Sequence, residues 1–318
     1  MDAASGLDGH GNTGVPARKT HRRTCRLAGI ALAALALPVG AQSPPAAPTG
    51  ACRLTALPAA DLLVRVPFDV VDGRVYVQAR ANSQGPFRFA VDTGASGTGR
   101  LDASLASTRR LPAAAAVENS DGVQTQAAGT THLDMLALGG LVRRDVDLIT
   151  RDYASKTAPK ARFAGILGRD FFADGLLVID YPRRTLSFTR SHGLSPRDAG
   201  AVTYQRPFRV AASIGPLQTE ANLDTGANAS LVLPAALYPK VEASGLMQGP
   251  KGRLTNTVID TERTRLNGPV RIGAIALTDV DALVSQRFPE LLVGSRILSR
   301  FVLVIDQRSR SVALCPGD

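Results

Sequence analysis

Phe89-Ala-Val-Asp92-Thr-Gly-Ala-Ser96 and, 132 residues further on, Asn222-Leu-Asp224-Thr-Gly-Ala-Asn228 carry one Asp-Thr-Gly-Ala core, each time at the end of an apolar run. Two more blocks recur around them. Leu138-Gly-Gly140 with Asp145-Val-Asp147 returns as Ile272-Gly-Ala274 with Asp279-Val-Asp281. Gly165-Ile-Leu-Gly168-Arg-Asp-Phe-Phe172, followed by Leu177-Val-Ile-Asp180, returns as Leu291-Leu-Val-Gly294-Ser-Arg-Ile-Leu298, followed by Leu303-Val-Ile-Asp306. The order is kept and the spacing drifts by a few residues, which reads as an internal duplication. The copies span 62–190 and 201–318, with 191–200 as a linker.

Within each copy, short β-branched and apolar runs alternate with Gly, Pro, Asn and Asp turns, as in Gly73-Arg-Val-Tyr-Val-Gln78, Pro86-Phe-Arg-Phe-Ala-Val91 and Thr185-Leu-Ser-Phe188. These are strand signals. Short helices are expected after each apolar-apolar-Gly step, near 169–173 and 295–299, and in the Ala-rich stretches 102–109 and 234–238. The fold class is therefore mostly β, as two similar lobes. At 44% hydrophobic and 20% charged, with 30 Gly and 20 Pro in 318 residues, the chain is too apolar for disorder and too interrupted for a coiled coil.

A carboxylate at the end of a buried strand, followed by Thr and Gly on a tight turn, is costly to bury unless something uses it. Bringing the copies together about a pseudo-twofold axis places Asp92 beside Asp224. Two adjacent carboxyls cannot both ionise readily and share a proton. Such a pair acts as base and acid at once, deprotonating a water for attack on a peptide carbonyl while protonating its oxygen.

These motifs, with Ile166-Leu-Gly168-Arg-Asp and Leu292-Val-Gly294, resemble the retropepsin and pepsin clan, and more closely the bacterial retropepsin-like aspartyl proteases. The resemblance spans nearly the whole chain after its N-terminal segment. It implies two acid-protease-like β-barrel lobes with an active-site cleft between them. Asp92 and Asp224 are then catalytic, Thr93 and Thr225 brace the two loops, and Gly94 and Gly226 let them approach. Ala95, Ser96, Ala227 and Asn228 would border the substrate. The clan's hairpin flap falls at Asn119-Ser-Asp121-Gly122, where Asp-Gly is a hairpin turn signal. Its second counterpart lies around 249–252 or Asn256. Neither stretch holds the flap Tyr of pepsins, and Ala95 and Ala227 stand where Ser or Thr is common there. The implied activity is an aspartic endopeptidase taking an extended peptide under the flap, with no cofactor and no metal. One monomer suffices for the site. Two rival readings share these residues: a peptide-binding protein of the same fold that does not cut, and an enzyme whose pair forms between two chains.

Before Gln42, Arg18, Lys19, Arg22, Arg23 and Arg26 precede the apolar run 27–37 and the small residues Val39-Gly-Ala41. Residues 1–41 read as a signal peptide, too short in its apolar run for a permanent anchor, and direct the protein to the periplasm or outside. Arg22-Arg23 leaves both the general and the twin-Arg export routes open. Residues 42–61 read as an extended Pro/Ala-rich leader. Removal of Cys25 leaves Cys52 and Cys315, an even pair that reads as a disulfide, with lipidation of Cys52 as the alternative behind a poor lipobox. Five of the 37 basic and two of the 27 acidic residues precede Gln42, leaving 32 against 25 without a long like-charge run. That diffuse charge gives no nucleic-acid signature.

Other chemistries lack their residues. His132 and His192 have no zinc-ligand spacing, Ser96 sits on no nucleophile elbow, and Gly97-Thr-Gly99 continues into no phosphate loop. Asp145, Asp147, Asp279 and Asp281 alternate with apolar residues and are expected to face solvent.

Overall fold

The computed structural model describes residues 49–153, 155 and 157–317. The signal-peptide reading of 1–41 and the stretch 42–48 lie outside them. The described chain is mostly β, with short helices between strands. The strands Arg74–Ala81 and Gln84–Val91 show why. They meet at Asn82-Ser83, both with positive φ, as a tight hairpin requires. Phe89 and Val91 then point into the main core while Ala90 faces the other side with Tyr76 and Ile166.

One eight-stranded sheet is built from residues 69–167 and a nine-stranded one from 209–294. In the first, Gln84–Val91 runs parallel to Gly165–Leu167, which is antiparallel to Gly99–Asp102, which in turn is parallel to Leu141–Arg151. In the second, Leu217–Asp224 runs parallel to Leu291–Gly294, then Leu231–Pro234 antiparallel, then Val280–Ser285 parallel. A parallel pair needs a long crossover, so each Asp-bearing strand is fixed by a partner that arrives about 70 residues later.

A six-stranded sheet takes strands from both halves of the chain. At its centre Leu176–Asp180 pairs antiparallel with Phe301–Asp306, Val178 opposite Val304, and every residue of both strands is buried. The Leu-Val-Ile-Asp repeats are thus joined directly.

Residues 50–55 form a 3₁₀ helix instead of the extended leader read from composition. Its Ala51 and Leu54 pack against Leu176, Val178, Val302 and Val304 on the outer face of the six-stranded sheet, which an extended Pro/Ala segment has no side chains to do. Cys52 in this helix is disulfide-bonded to Cys315, with Cα atoms 5.5 Å apart. Arg53 pairs with Asp198 at 2.9 Å beside it.

Short helices form at all four expected places, two of them α and two 3₁₀. Ser295–Leu298 and Ala103–Thr108 are α-helical, the latter capped by Asp102 accepting from Ser104 N–H at 2.9 Å. Arg169–Phe172 and Ala235–Lys240 are 3₁₀, the second with Pro239 inside it removing a donor. Asp145, Asp147, Asp279 and Asp281 are exposed. No helix among the described residues is long and apolar enough to cross a membrane.

Candidate active site

Asp92 follows directly on the strand Gln84–Val91, its N–H donating to Leu167 O at 3.1 Å, and Asp224 ends the strand Leu217–Asp224 opposite Gly294. The parallel strand pairs therefore aim both residues off the same kind of edge. At each turn the carboxylate is held by the backbone after it. Gly94 N–H and Ala95 N–H donate to Asp92 Oδ1 at 2.9 and 3.0 Å, and Gly226 N–H donates to Asp224 Oδ1 at 2.8 Å. These bonds fix each side chain's direction.

The two turns are tied to each other by their threonines. Thr93 Oγ1 donates to Leu223 O at 2.9 Å and accepts from Thr225 N–H at 3.0 Å. Thr225 Oγ1 donates to Val91 O at 2.9 Å and accepts from Thr93 N–H at 3.1 Å. Each hydroxyl reaches past its own loop to the backbone before the opposite Asp. Both residues are buried, so all four bonds lie out of water.

Glycine is required at two positions by close approach. A Cβ on Gly94 would lie 2.6 Å from Asp224 Oδ2, and one on Gly226 would overlap the Asp92 carboxyl. Each loop's glycine thus seats the other loop's acid. Burial, and then the charge of Asp92, push the Asp224 carboxyl well above the usual carboxylate range.

The apolar-apolar-Gly steps pack on the same loops. Arg169 N–H donates to Ala95 O at 3.0 Å, and Ser295 donates to Ala227 O through both N–H and Oγ at 2.8 Å. Arg74 Nε bonds Gly226 O across the halves at 2.5 Å.

The remaining sequence-derived residues divide. Ala95 is buried in a small cluster with Tyr76, Ala90 and Ile166, against which Tyr153 and Phe163 pack. Ala227 packs in another with Val123, Ile259, Phe288 and Leu292. Ser96 and Asn228 are exposed, and Ser96 O accepts from Arg100 Nη1 at 2.9 Å.

Asp121 and Gly122 lie in the turn between Ala113–Ser120 and Thr125–Leu138, with Gly122 at φ 86°. Asp121 Oδ1 accepts from Val123 and Gln124 N–H at 3.0 and 2.8 Å, and Oδ2 from Asn256 N–H at 2.8 Å. Burial opposes its ionisation, but the N–H donors of Gln124, Asn256 and Val123 outweigh that and hold the carboxyl below its ordinary value.

The second hairpin is Gly252–Arg253 with Val258–Ile259, which places Asn256 in its turn. Asn256 Nδ2 donates to Asn119 O and Gln124 O at 2.8 and 3.0 Å, while its Oδ1 accepts from Arg151 at 3.1 Å. One asparagine therefore binds the tips of the two hairpins together. Sequence reading named Asn256 only as a place to look. Arg74, Tyr153 and Phe163 gave no signal, because their relation to the site is made by contacts far apart in the chain.

Residues 77–171 match the model of a family described as aspartyl protease. That segment, under a third of the chain, contains the first Asp-Thr-Gly-Ala motif and its apolar-apolar-Gly step and ends before the second. The match supports a protease-type function for the fold it covers. No curated protein matches the chain.

Proposed function

We propose that this protein is an aspartic endopeptidase whose catalytic pair is Asp92 and Asp224. The observation that carries the reading is the convergence of the two carboxyls, each seated over the other loop's glycine and locked by the reciprocal threonine bonds. The repeated strand pairings support two lobes, 62–190 and 201–318, related by a pseudo-twofold axis with the cleft between them. Thr93, Gly94, Thr225 and Gly226 support the pair. Ala95, Ser96, Ala227, Asn228, Asp121 and Gly122 border an extended peptide, and both acids lie on one chain, so a monomer is complete.

The chemistry follows from the shared proton. Asp224, whose ionisation burial and Asp92 oppose, holds it, and ionised Asp92 takes a proton from a water. The hydroxide oxygen bonds to the peptide carbonyl carbon while the Asp224 proton passes to the carbonyl oxygen, giving a gem-diol. Asp92 then gives its proton to the amide nitrogen as the C–N bond breaks, and a diol proton returns to Asp224. No covalent enzyme intermediate forms. The leader disulfide and the N-terminal basic-apolar pattern fit an exported, periplasmic or secreted protein.

The test is incubation of the purified mature chain with a peptide library, reading new termini by mass spectrometry, with and without a statine-type inhibitor. Cleavage blocked by the inhibitor is expected. Stable peptide binding without new termini would instead make this a non-cutting member of the fold.

A further inference from the structure

The two Asp-bearing sheets differ at one register position on the face that carries the site. Arg100 stands opposite Ile166 and Val232 opposite Leu292, so the two occupy equivalent places on the strands Gly99–Asp102 and Leu231–Pro234. Opposed residues of an antiparallel pair share a face, and Ile166 and Leu292 belong to the clusters beside Ala95 and Ala227. The second half fills its position with an apolar side chain that packs in its cluster, whereas the first half buries a guanidinium there, 6% exposed. Burying a cation is costly, and the second half shows that the fold does not require one at this place.

The bonds of Arg100 run in two directions. Nη1 donates to Ser96 O at 2.9 Å and to Gly99 O at 3.4 Å, and Nη2 donates to Asn119 Oδ1 at 3.2 Å. All three acceptors are neutral. Ser96 directly follows Ala95, whose N–H orients Asp92 through its 3.0 Å bond to Oδ1. Asn119 lies in the hairpin strand Ala113–Ser120, and its main-chain oxygen accepts from Asn256 Nδ2 at 2.8 Å. One planar, rigid fork therefore joins the turn that aims Asp92 to the hairpin that meets the other half's hairpin at Asn256.

We propose that Arg100 is a positioning residue that couples the seating of the hairpin tips to the aim of Asp92. This rests on the catalytic reading above and adds an asymmetry to it. Contact at the tips is relayed to the Asp92 turn by hydrogen bonds through Asn119 and Arg100, and Val232, which has no polar side-chain atom, offers the Asp224 turn no such relay.

Amide hydrogen exchange on the purified mature chain, read by mass spectrometry without substrate, measures the coupling as a double-mutant cycle. Asn256→Ala frees the tips and, with Arg100 in place, should speed exchange at 93–99 as well as at 113–125, by on the order of 10-fold. In Arg100→Met, exchange at 93–99 should already be raised, and adding Asn256→Ala should leave it there. Asn119→Ala cuts the hairpin arm alone, keeps the Ser96 bond, and should uncouple the two segments in the same way, so the cycle can be closed even where Arg100→Met does not fold. In peptide cleavage, Arg100→Met should lower kcat by on the order of 10-fold with KM nearly unchanged. Arg100→Lys keeps the charge without the fork and should restore neither readout. Exchange at 93–99 that ignores Asn256→Ala, or that answers it equally with and without Arg100, overturns the proposal, as does full rescue by lysine. A chain that cuts no peptide would refute the catalytic reading, while the exchange cycle still decides the coupling.

Discussion

Replacing Thr225 with valine tests whether the threonine crossing holds the two loops together. The side chain keeps its shape and burial, but the hydroxyl that bonds Val91 O at 2.9 Å and Thr93 N–H at 3.1 Å is lost. Thr225 is 0% exposed, so neither orphaned backbone group gains water. At about 1–3 kcal/mol for each of the two buried groups left unpaired, Thr225→Val should cost about 2–6 kcal/mol. Thr225→Ser keeps both bonds and loses one methyl, about 1 kcal/mol. Urea unfolding monitored by circular dichroism measures both variants against wild type, with the midpoint shifting at constant slope. The loosened loops should also lower peptide turnover by on the order of 100-fold, because a misplacement near 1 Å at a reacting centre has that effect. A valine variant no less stable and no less active than the serine variant would refute the argument that these bonds set the geometry of the pair.

Four further outcomes follow from the same contacts. Gly94→Ala and Gly226→Ala each drive a methyl into the opposite carboxyl and should fold, by circular dichroism, while losing turnover by on the order of 100-fold or more. Cys52→Ser releases a link across a sequence separation of 263 and should lower stability by up to about 5 kcal/mol in denaturant melts, as dithiothreitol should for the wild type. Asn256→Ala removes the side chain that ties the hairpin tips and should speed amide hydrogen exchange across 113–125 while leaving exchange in 176–180 unchanged. Asp224 has a raised carboxyl value in the fold, so the folded state keeps a proton that the unfolded chain releases, and stability falls as pH rises above the ordinary carboxylate range. Asp224→Asn should therefore gain thermal stability over wild type at pH 8 and little or none at pH 4.

Much of this architecture is legible in the sequence because it is written in local patterns. Alternation in Pro86-Phe-Arg-Phe-Ala-Val91 gives the strand, the Asp-Gly at 121–122 gives a hairpin turn, and the spacing of the apolar-apolar-Gly steps marks the strands that the Asp-bearing strands meet. What escapes is whatever depends on pairings across the chain. The six-stranded sheet joins Leu176–Asp180 to Phe301–Asp306, two runs that look like ordinary buried strands until their register is known. The same holds for Arg74, which stands in an ordinary strand, carries no motif, and bonds Gly226 O across the halves. Residues 50–55 escape for another reason: composition reports Pro and Ala as linker, while two small apolar side chains and one disulfide are enough to dock a short helix.

The central claim is that Asp92 and Asp224 hold one proton between them. Carboxyl-carbon NMR titration of the chain with labelled aspartate, set against Asp92→Asn and Asp224→Asn, measures it directly. The account predicts one carboxyl of the pair still protonated at neutral pH and no peptide turnover in either asparagine variant. Two carboxyls that ionise independently near pH 4, or turnover that survives either substitution, would contradict it.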